Sequence, residues 1–120
     1  MNNKKKVLIV DDDTRNIFAL SAVLKAQSYH CISKTAASDA IEFLKGTETV
    51  DVVLIDMMMP EMDGYEAIPI IKGINRDTPV IAVTAQAMVG DREKCLKAGA
   101  DNYVTKPIDV DLLLDLLGKL

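Results

Sequence analysis

No apolar run in these 120 residues approaches the roughly 20 residues that a membrane-spanning helix needs. A secretory signal is missing too. Behind Lys4-Lys5-Lys6 the only apolar stretch is Val7-Leu8-Ile9-Val10, which stops at three aspartates. Cysteine is scarce: Cys31 and Cys95 lie far apart and form no C-x-x-C pair. They read as small core or half-exposed residues in a reducing compartment, without a metal or redox role. Positive charge is in deficit, with 14 basic against 18 acidic residues and a formal net charge of -4. Without a basic stripe, no nucleic-acid surface is expected. The one basic run, Lys4 to Lys6, reads as a solvated flank. The lone histidine, His30, has no helix-bundle pattern around it and reads as an incidental strand residue rather than a phosphodonor. No repeat, linker or low-complexity segment interrupts the chain. The expectation is one cytoplasmic domain over 1–120 with no output domain, whose 49% hydrophobic content can bury a single core.

What is present is a regular alternation. Val7 to Val10, Val52 to Ile55 and Val80 to Val83 are short, rich in β-branched residues and nearly free of polar interruption. Such runs mark strands covered on both faces, as in a parallel sheet. Tyr29 to Ser33 and Asn102 to Val104 are weaker candidates for outer strands. Between them, Ile17, Leu20 and Leu24 share one helical face after a start signal of acidic residues and Thr14. Ala37, Ala40, Ile41 and Leu44 share another, closed by Gly46. Further helices are expected over Asp91 to Ala98, ending at Gly99, and Val110 to Leu117, ending at Gly118. In Tyr65 to Lys72, Pro69 removes a backbone donor and is expected to kink or shorten the helix. Five strands alternating with five helices imply a doubly wound α/β sandwich, because right-handed crossovers cover both faces of the sheet. Periodicity leaves the strand order open.

The strands stop at chemistry. The first ends in Asp11-Asp12-Asp13, the third in Asp56 and the fourth in Thr84, and Lys106 follows the fifth. In a parallel sheet these positions converge on one edge, where doubly wound folds place their sites. Crowded carboxylates must take up protons or hold a cation. Their hard oxygens suit Mg²⁺, with Mn²⁺ as the alternative. A carboxylate nucleophile, a metal, a lysine and a hydroxyl together can perform phosphoryl transfer, with Asp56 attacking in line. Each residue alone has a plainer reading. The three aspartates could cap a helix, Thr84 could simply end a strand, and Lys106 could be solvated. Their coincidence at four strand ends favours the chemical reading.

Four stretches carry a family resemblance: Val7-Leu8-Ile9-Val10-Asp11-Asp12-Asp13; Asp56-Met57-Met58-Met59-Pro60-Glu61-Met62-Asp63-Gly64; Val83-Thr84-Ala85; and Asp101-Asn102-Tyr103-Val104-Thr105-Lys106-Pro107. On these the chain resembles, over essentially its full length, the receiver domain of bacterial-type response regulators. Ala87-Met88-Val89-Gly90-Asp91-Arg92 is most similar to receivers of hybrid histidine kinases. The resemblance implies a flavodoxin-like sheet of order 2-1-3-4-5, and Asp56 as the phosphoacceptor rather than the active centre of a turnover enzyme. It implies Asp12 as a direct metal ligand, Asp11 acting largely through water, and the backbone carbonyl of Met58 as a further ligand. Lys106 would contact the phosphoryl group, and its bond to Pro107 would be cis. Asp13 receives no ligand role. Met58 and Gln86 match variable positions that tune hydrolysis, and the small Ala85 would leave the phosphoryl group accessible.

The implied switch runs from Thr84 through Met88 to Tyr103 and signals through helix 4, strand 5 and helix 5. The implied donor is a histidine kinase or histidine phosphotransfer protein docking on helix 1 through Ile17 and Phe18, although both could be core residues. The downstream effector is unspecified, and a monomer or weak phosphorylation-dependent dimer is expected. Two rivals remain. A haloacid-dehalogenase-type phosphatase would use Asp11 and Asp13, but Arg15 stands where threonine or valine belongs. A pseudo-receiver would lack a key residue, and none is lacking.

Overall fold

Five strands and five helices alternate in the computed structural model, which describes residues 5–85 and 90–120. In chain order they are β1 (Lys6–Val10), α1 (Thr14–Ala26), β2 (His30–Lys34), α2 (Ala37–Lys45), β3 (Val52–Asp56), α3 (Gly64–Ile74), β4 (Val80–Thr84), α4 (Asp91–Ala98), β5 (Asn102–Thr105) and α5 (Val110–Gly118). All strand pairs are parallel and the order is β2-β1-β3-β4-β5. The weak outer strands of the sequence are the two edges, and His30 is an exposed residue of β2.

Side chains alternate between the two faces of the sheet, and each face has its own core. Leu8, Val10, Val53, Ile55, Val80 and Ala82 pack with Ala40 of α2, with Ala67, Ile68 and Ile71 of α3 and with Cys95 of α4. Val7, Ile9, Val52, Leu54, Ile81 and Val83 pack on the other face with Leu24 of α1 and with Leu113 and Leu117 of α5. This two-sided demand is why β1, β3 and β4 read as unbroken apolar runs. Both cysteines are free, Cys95 buried and Cys31 half-buried.

Three of the five helix starts, those of α1, α3 and α5, are fixed by side-chain caps. Asp13, rather than Thr14, caps α1 by accepting the Arg15 N–H at 2.9 Å. Asp63 caps α3 through the Glu66 N–H, and Asp109 caps α5 through the Leu112 N–H. At the far end of the sheet, Lys72 clamps α3 to the start of β5. Its ammonium lies 2.7 Å from Asp101 and also donates to the carbonyls of Arg76 and Thr78.

Of the expected kink or shortening, the shortening does not occur: α3 runs 11 residues through Pro69. Gly64, Ala67, Ile68 and Ile71 form its buried stripe, while Pro69 faces solvent. Burial of that stripe outweighs the local penalty of a residue that cannot donate to the preceding turn. Gly118 belongs to α5 instead of stopping it, while β3 and β4 end in Asp56 and Thr84 as expected. Among the described residues no helix is long and apolar enough to cross a membrane.

Pro69→Ala is expected to raise the unfolding free energy by about 2 kcal/mol, the helix-interior penalty of proline less its entropic effect on the unfolded chain. Urea denaturation measures it. A loss of stability would mean that packing around α3 depends on the proline.

Candidate functional site

Register brings the site together. Val10 pairs with Ile55 across β1 and β3, so Asp11 and Asp56 sit side by side at the carboxyl ends of the two central strands. Thr84 pairs with Thr105 across β4 and β5, which places Lys106 just beyond the same edge. The Lys106 backbone is held there by its N–H, which donates to the Thr84 carbonyl at 2.8 Å.

Each buried carboxylate has one oxygen anchored by a nearby backbone donor. Asp11 Oδ1 accepts the Asp13 N–H at 2.9 Å, and Asp56 Oδ1 accepts the Met58 N–H at 3.0 Å. The Lys106 ammonium approaches the remaining oxygens, 2.9 Å from Asp56 Oδ2 and 3.9 Å from Asp11 Oδ2. Asp12 is exposed at the rim, yet Asp11, Asp12 and Asp56 each offer an oxygen within 4.8 Å of one another. Asp13 is absent from this group because its carboxylate caps α1.

Among the described residues, three carboxylates thus face the Lys106 ammonium. Burial is the largest influence on Asp11 and raises its carboxyl above the ordinary range. The charge of Asp56 adds to this, and together they outweigh the bond from the Asp13 N–H, the charge of Lys106 and a hydrogen bond from Asn16. Burial alone would lower the Lys106 ammonium. Its hydrogen bond to Asp56 and the charges of Asp56, Asp11 and Asp12 prevail, so it is held above its ordinary value. A pocket of hard oxygens with surplus negative charge fits a divalent cation such as Mg²⁺.

The loop after β3 is pressed against the start of α3. The Gly64 N–H donates to the Met57 carbonyl at 3.1 Å, and a Cβ on Gly64 would lie 2.9 Å from Met57 Cα. Only glycine fits that approach. Met57 is buried, whereas the Met58 side chain is 55% exposed. Thr84 is buried and engaged with other groups. Strand alternation puts it on the face of Ala82, whose partner in β5 is Tyr103. Tyr103 is half-buried against that face's core. The expected docking pair divides: Ile17 packs partly into the core while Phe18 is 78% exposed. Ala85 is exposed. Gln86, and the Gln86-to-Met88 part of the expected switch, lie outside the described residues, as do Ala87 to Val89 of the hybrid-kinase resemblance. Asn16, in the first turn of α1, was given no place in the site by the sequence. Its only signal was its place soon after the three aspartates.

The pattern that defines the response regulator receiver domain matches residues 7–118. The chain belongs to this family. It is 38% identical over 109 residues to the heme response regulator HssR of Staphylococcus haemolyticus, covering 91% of this chain and 48% of HssR. It is 40% identical over 113 residues to the signal transduction histidine-protein kinase BarA of Shigella flexneri, covering 92% of this chain and 12% of BarA. The chain therefore spans about half of one relative and a small part of the other. Among solved structures, the receiver domain of sensor histidine kinase PA1611 from Pseudomonas aeruginosa superposes with a TM-score of 0.87 at 31% identity, covering 97% of this chain and 96% of that one. That receiver holds a magnesium ion in its active-site cleft. A Francisella response regulator receiver domain matches with TM-score 0.87 at 31% identity, covering 96% of this chain and 94% of that one. The cis bond at Lys106–Pro107 agrees with the expectation. The chain is thus a receiver domain of two-component signalling.

A carboxyl held up in the folded receiver weakens the fold while it is ionised. That penalty disappears as pH falls through its folded-state pKa. Asp11→Asn keeps an oxygen for the Asp13 N–H, so without divalent cations it should be more stable than the parent at neutral pH. The difference should close as pH falls toward the ordinary carboxylate value of about 4. Denaturation curves across that range measure it, and a gap indifferent to pH would refute the electrostatic origin.

Proposed function

We propose that this receiver takes a phosphoryl group from a phosphohistidine donor onto Asp56 and reports the added charge through Thr84 and Tyr103. One observation carries the reading: Asp56 sits at a strand end, joined to Lys106 at 2.9 Å and within 4.8 Å of the carboxylates of Asp11 and Asp12.

In the transfer, an Asp56 oxygen forms the new P–O bond while the donor's P–N bond breaks, and its electron pair stays on the imidazole nitrogen. Lys106 neutralises charge on the phosphoryl oxygens and then remains as their counter-ion. Backbone N–H donors hold Asp11 and Asp56 in place beforehand, so little reorganisation is needed during the step. Asp11, Asp12, Asp56 and the Met58 carbonyl would hold Mg²⁺ or, in its place, Mn²⁺. Such an ion, when bound, offsets negative charge shared between the carboxylates and the phosphoryl group.

The product carries nearly two negative charges and fresh acceptor oxygens. Thr84 can exchange its present partners for a phosphoryl oxygen, and Tyr103 shares its face of the sheet. The surface of α4, β5 and α5 would then read the change for an effector. The donor, a histidine kinase or histidine phosphotransfer protein, would dock on α1, where Phe18 offers an exposed apolar anchor beside the half-buried Ile17. The phosphatase alternative has less support, since Asp13 is committed to capping α1.

Acetyl phosphate with Mg²⁺ should form an acid-labile acyl phosphate on the parent and none on Asp56→Asn, as read by intact mass. Labelling that persists in the variant would place the acceptor elsewhere. Phe18→Asp should slow transfer from a phosphohistidine donor by about tenfold, in line with loss of an interface anchor, and leave acetyl phosphate labelling intact. Equal loss in both assays would remove Phe18 from docking.

A further inference from the structure

Beside the carboxylates, and outside the transfer chemistry, lies a cleft of about 490 Å³. One wall is α1, through Ala19, Leu20 and Val23, and the other is the β5–α5 connection, through Pro107 and Ile108. Its floor is Ile9, Leu54 and Val83, all from the sheet face covered by α1 and α5. Only one end is charged, where Asp11, Asp56 and Lys106 line it and the Asn16 amide lies beside them. Size, apolar walls and a few convergent polar groups are the usual properties of a small-molecule site.

Charge selects the kind of molecule. At the polar end two carboxylates, Asp11 and Asp56, line the cleft beside the Lys106 ammonium, with Asp12 close to both. An anionic head would be repelled there. A neutral one would gain only the apolar contacts. The Lys106 ammonium is 3.9 Å from Asp11 Oδ2, beyond hydrogen-bonding distance; a carboxylate oxygen has two lone pairs, so beside the Asn16 amide Asp11 can still accept from a second cation. We propose that the cleft between α1 and the β5–α5 connection binds a compact apolar cation, a primary ammonium on a hydrocarbon or aryl body. Its head meets Asp11 and Asp56, and its body lies between Ala19, Leu20 and Val23 on one side and Pro107 and Ile108 on the other. Such a ligand uses the carboxylates that a divalent cation would use, so the two exclude one another.

The probe is 4-tert-butylbenzylamine, protonated at neutral pH, compared with the isosteric alcohol and with 4-tert-butylbenzoate. Each is titrated into the receiver without divalent cations and followed by amide chemical shifts. The amine should bind at least about tenfold more tightly than either comparison, the factor expected of one charge-assisted hydrogen bond. The shifts should centre on residues 19–23 and 106–110, and Mg²⁺ should displace the amine competitively. Ala19→Phe, which plugs the cleft from an exposed position, should weaken amine binding at least about tenfold while circular dichroism stays unchanged. Ala19→Leu, a smaller plug, serves if the larger one disturbs folding. Three outcomes would overturn the proposal: equal binding of all three probes, preference for the benzoate, or amine binding unaffected by both plugs. Lack of amine binding, with the plugs slowing transfer from a protein donor, would also overturn it and assign the cleft to a partner's apolar side chain.

Discussion

The surplus of negative charge at the carboxyl ends of β1 and β3 is the constraint on which the rest of this molecule depends. Two buried carboxylates, Asp11 and Asp56, and the exposed Asp12 share one neighbourhood because the two central strands run parallel and in register. Lys106 compensates part of that charge and no more. Asp11 holds its proton more tightly, chiefly because burial strips its carboxylate of water and further because Asp56 carries like charge. On the proposed reading the remaining deficit has a use. A phosphoryl group adds further negative charge, so its arrival would be tied to a cation that the clustered carboxylates favour.

The scaffold keeps these groups from relaxing apart. Backbone N–H donors from Asp13 and Met58 hold one oxygen of each buried carboxylate, and the Thr84 carbonyl holds the backbone of Lys106. The contact of Gly64 with Met57 locks the loop that follows Asp56. Around that rigid centre the surroundings differ in kind. On one side Thr84 and Tyr103 lie on the face packed by α2, α3 and α4, where a change at the site can reach the α4–β5 surface. On the other, the space between α1 and the β5–α5 connection stays open to a guest. On the proposed readings the two sides of one charged edge would serve different uses, signalling on one and exclusion of the cation on the other.

Much of the fold was legible because burial on both faces leaves a strong imprint. Val7 to Val10, Val52 to Ile55 and Val80 to Val83 cannot alternate with polar residues when helices cover each face. Helix ends were less legible. Gly118 belongs to α5 instead of stopping it, because local propensity is a weak guide to where a helix ends. The length of α3 was hidden for the same reason: the effect of Pro69 is local, whereas Ala67, Ile68 and Ile71 are buried by the sheet and by neighbouring helices. The division between Ile17 and Phe18 was equally hidden, since adjacent apolar residues on a helix give no sign of which one turns inward.

The residues of the site were readable as strand-end acids, a hydroxyl and a lysine, and the α/β alternation implied that they share an edge. Residue order alone thus determined the chemical inventory and the class of fold, through local periodicity and side-chain identity. Tertiary structure decided how the inventory is used. It gave Asp13 to a helix cap and Asp11 and Asp56 to a common charge cluster, and it brought Lys106 within 2.9 Å of Asp56 across a gap of 50 positions. It also opened the cleft under α1. These follow from strand register and helix placement, long-range properties that a one-dimensional pattern does not contain.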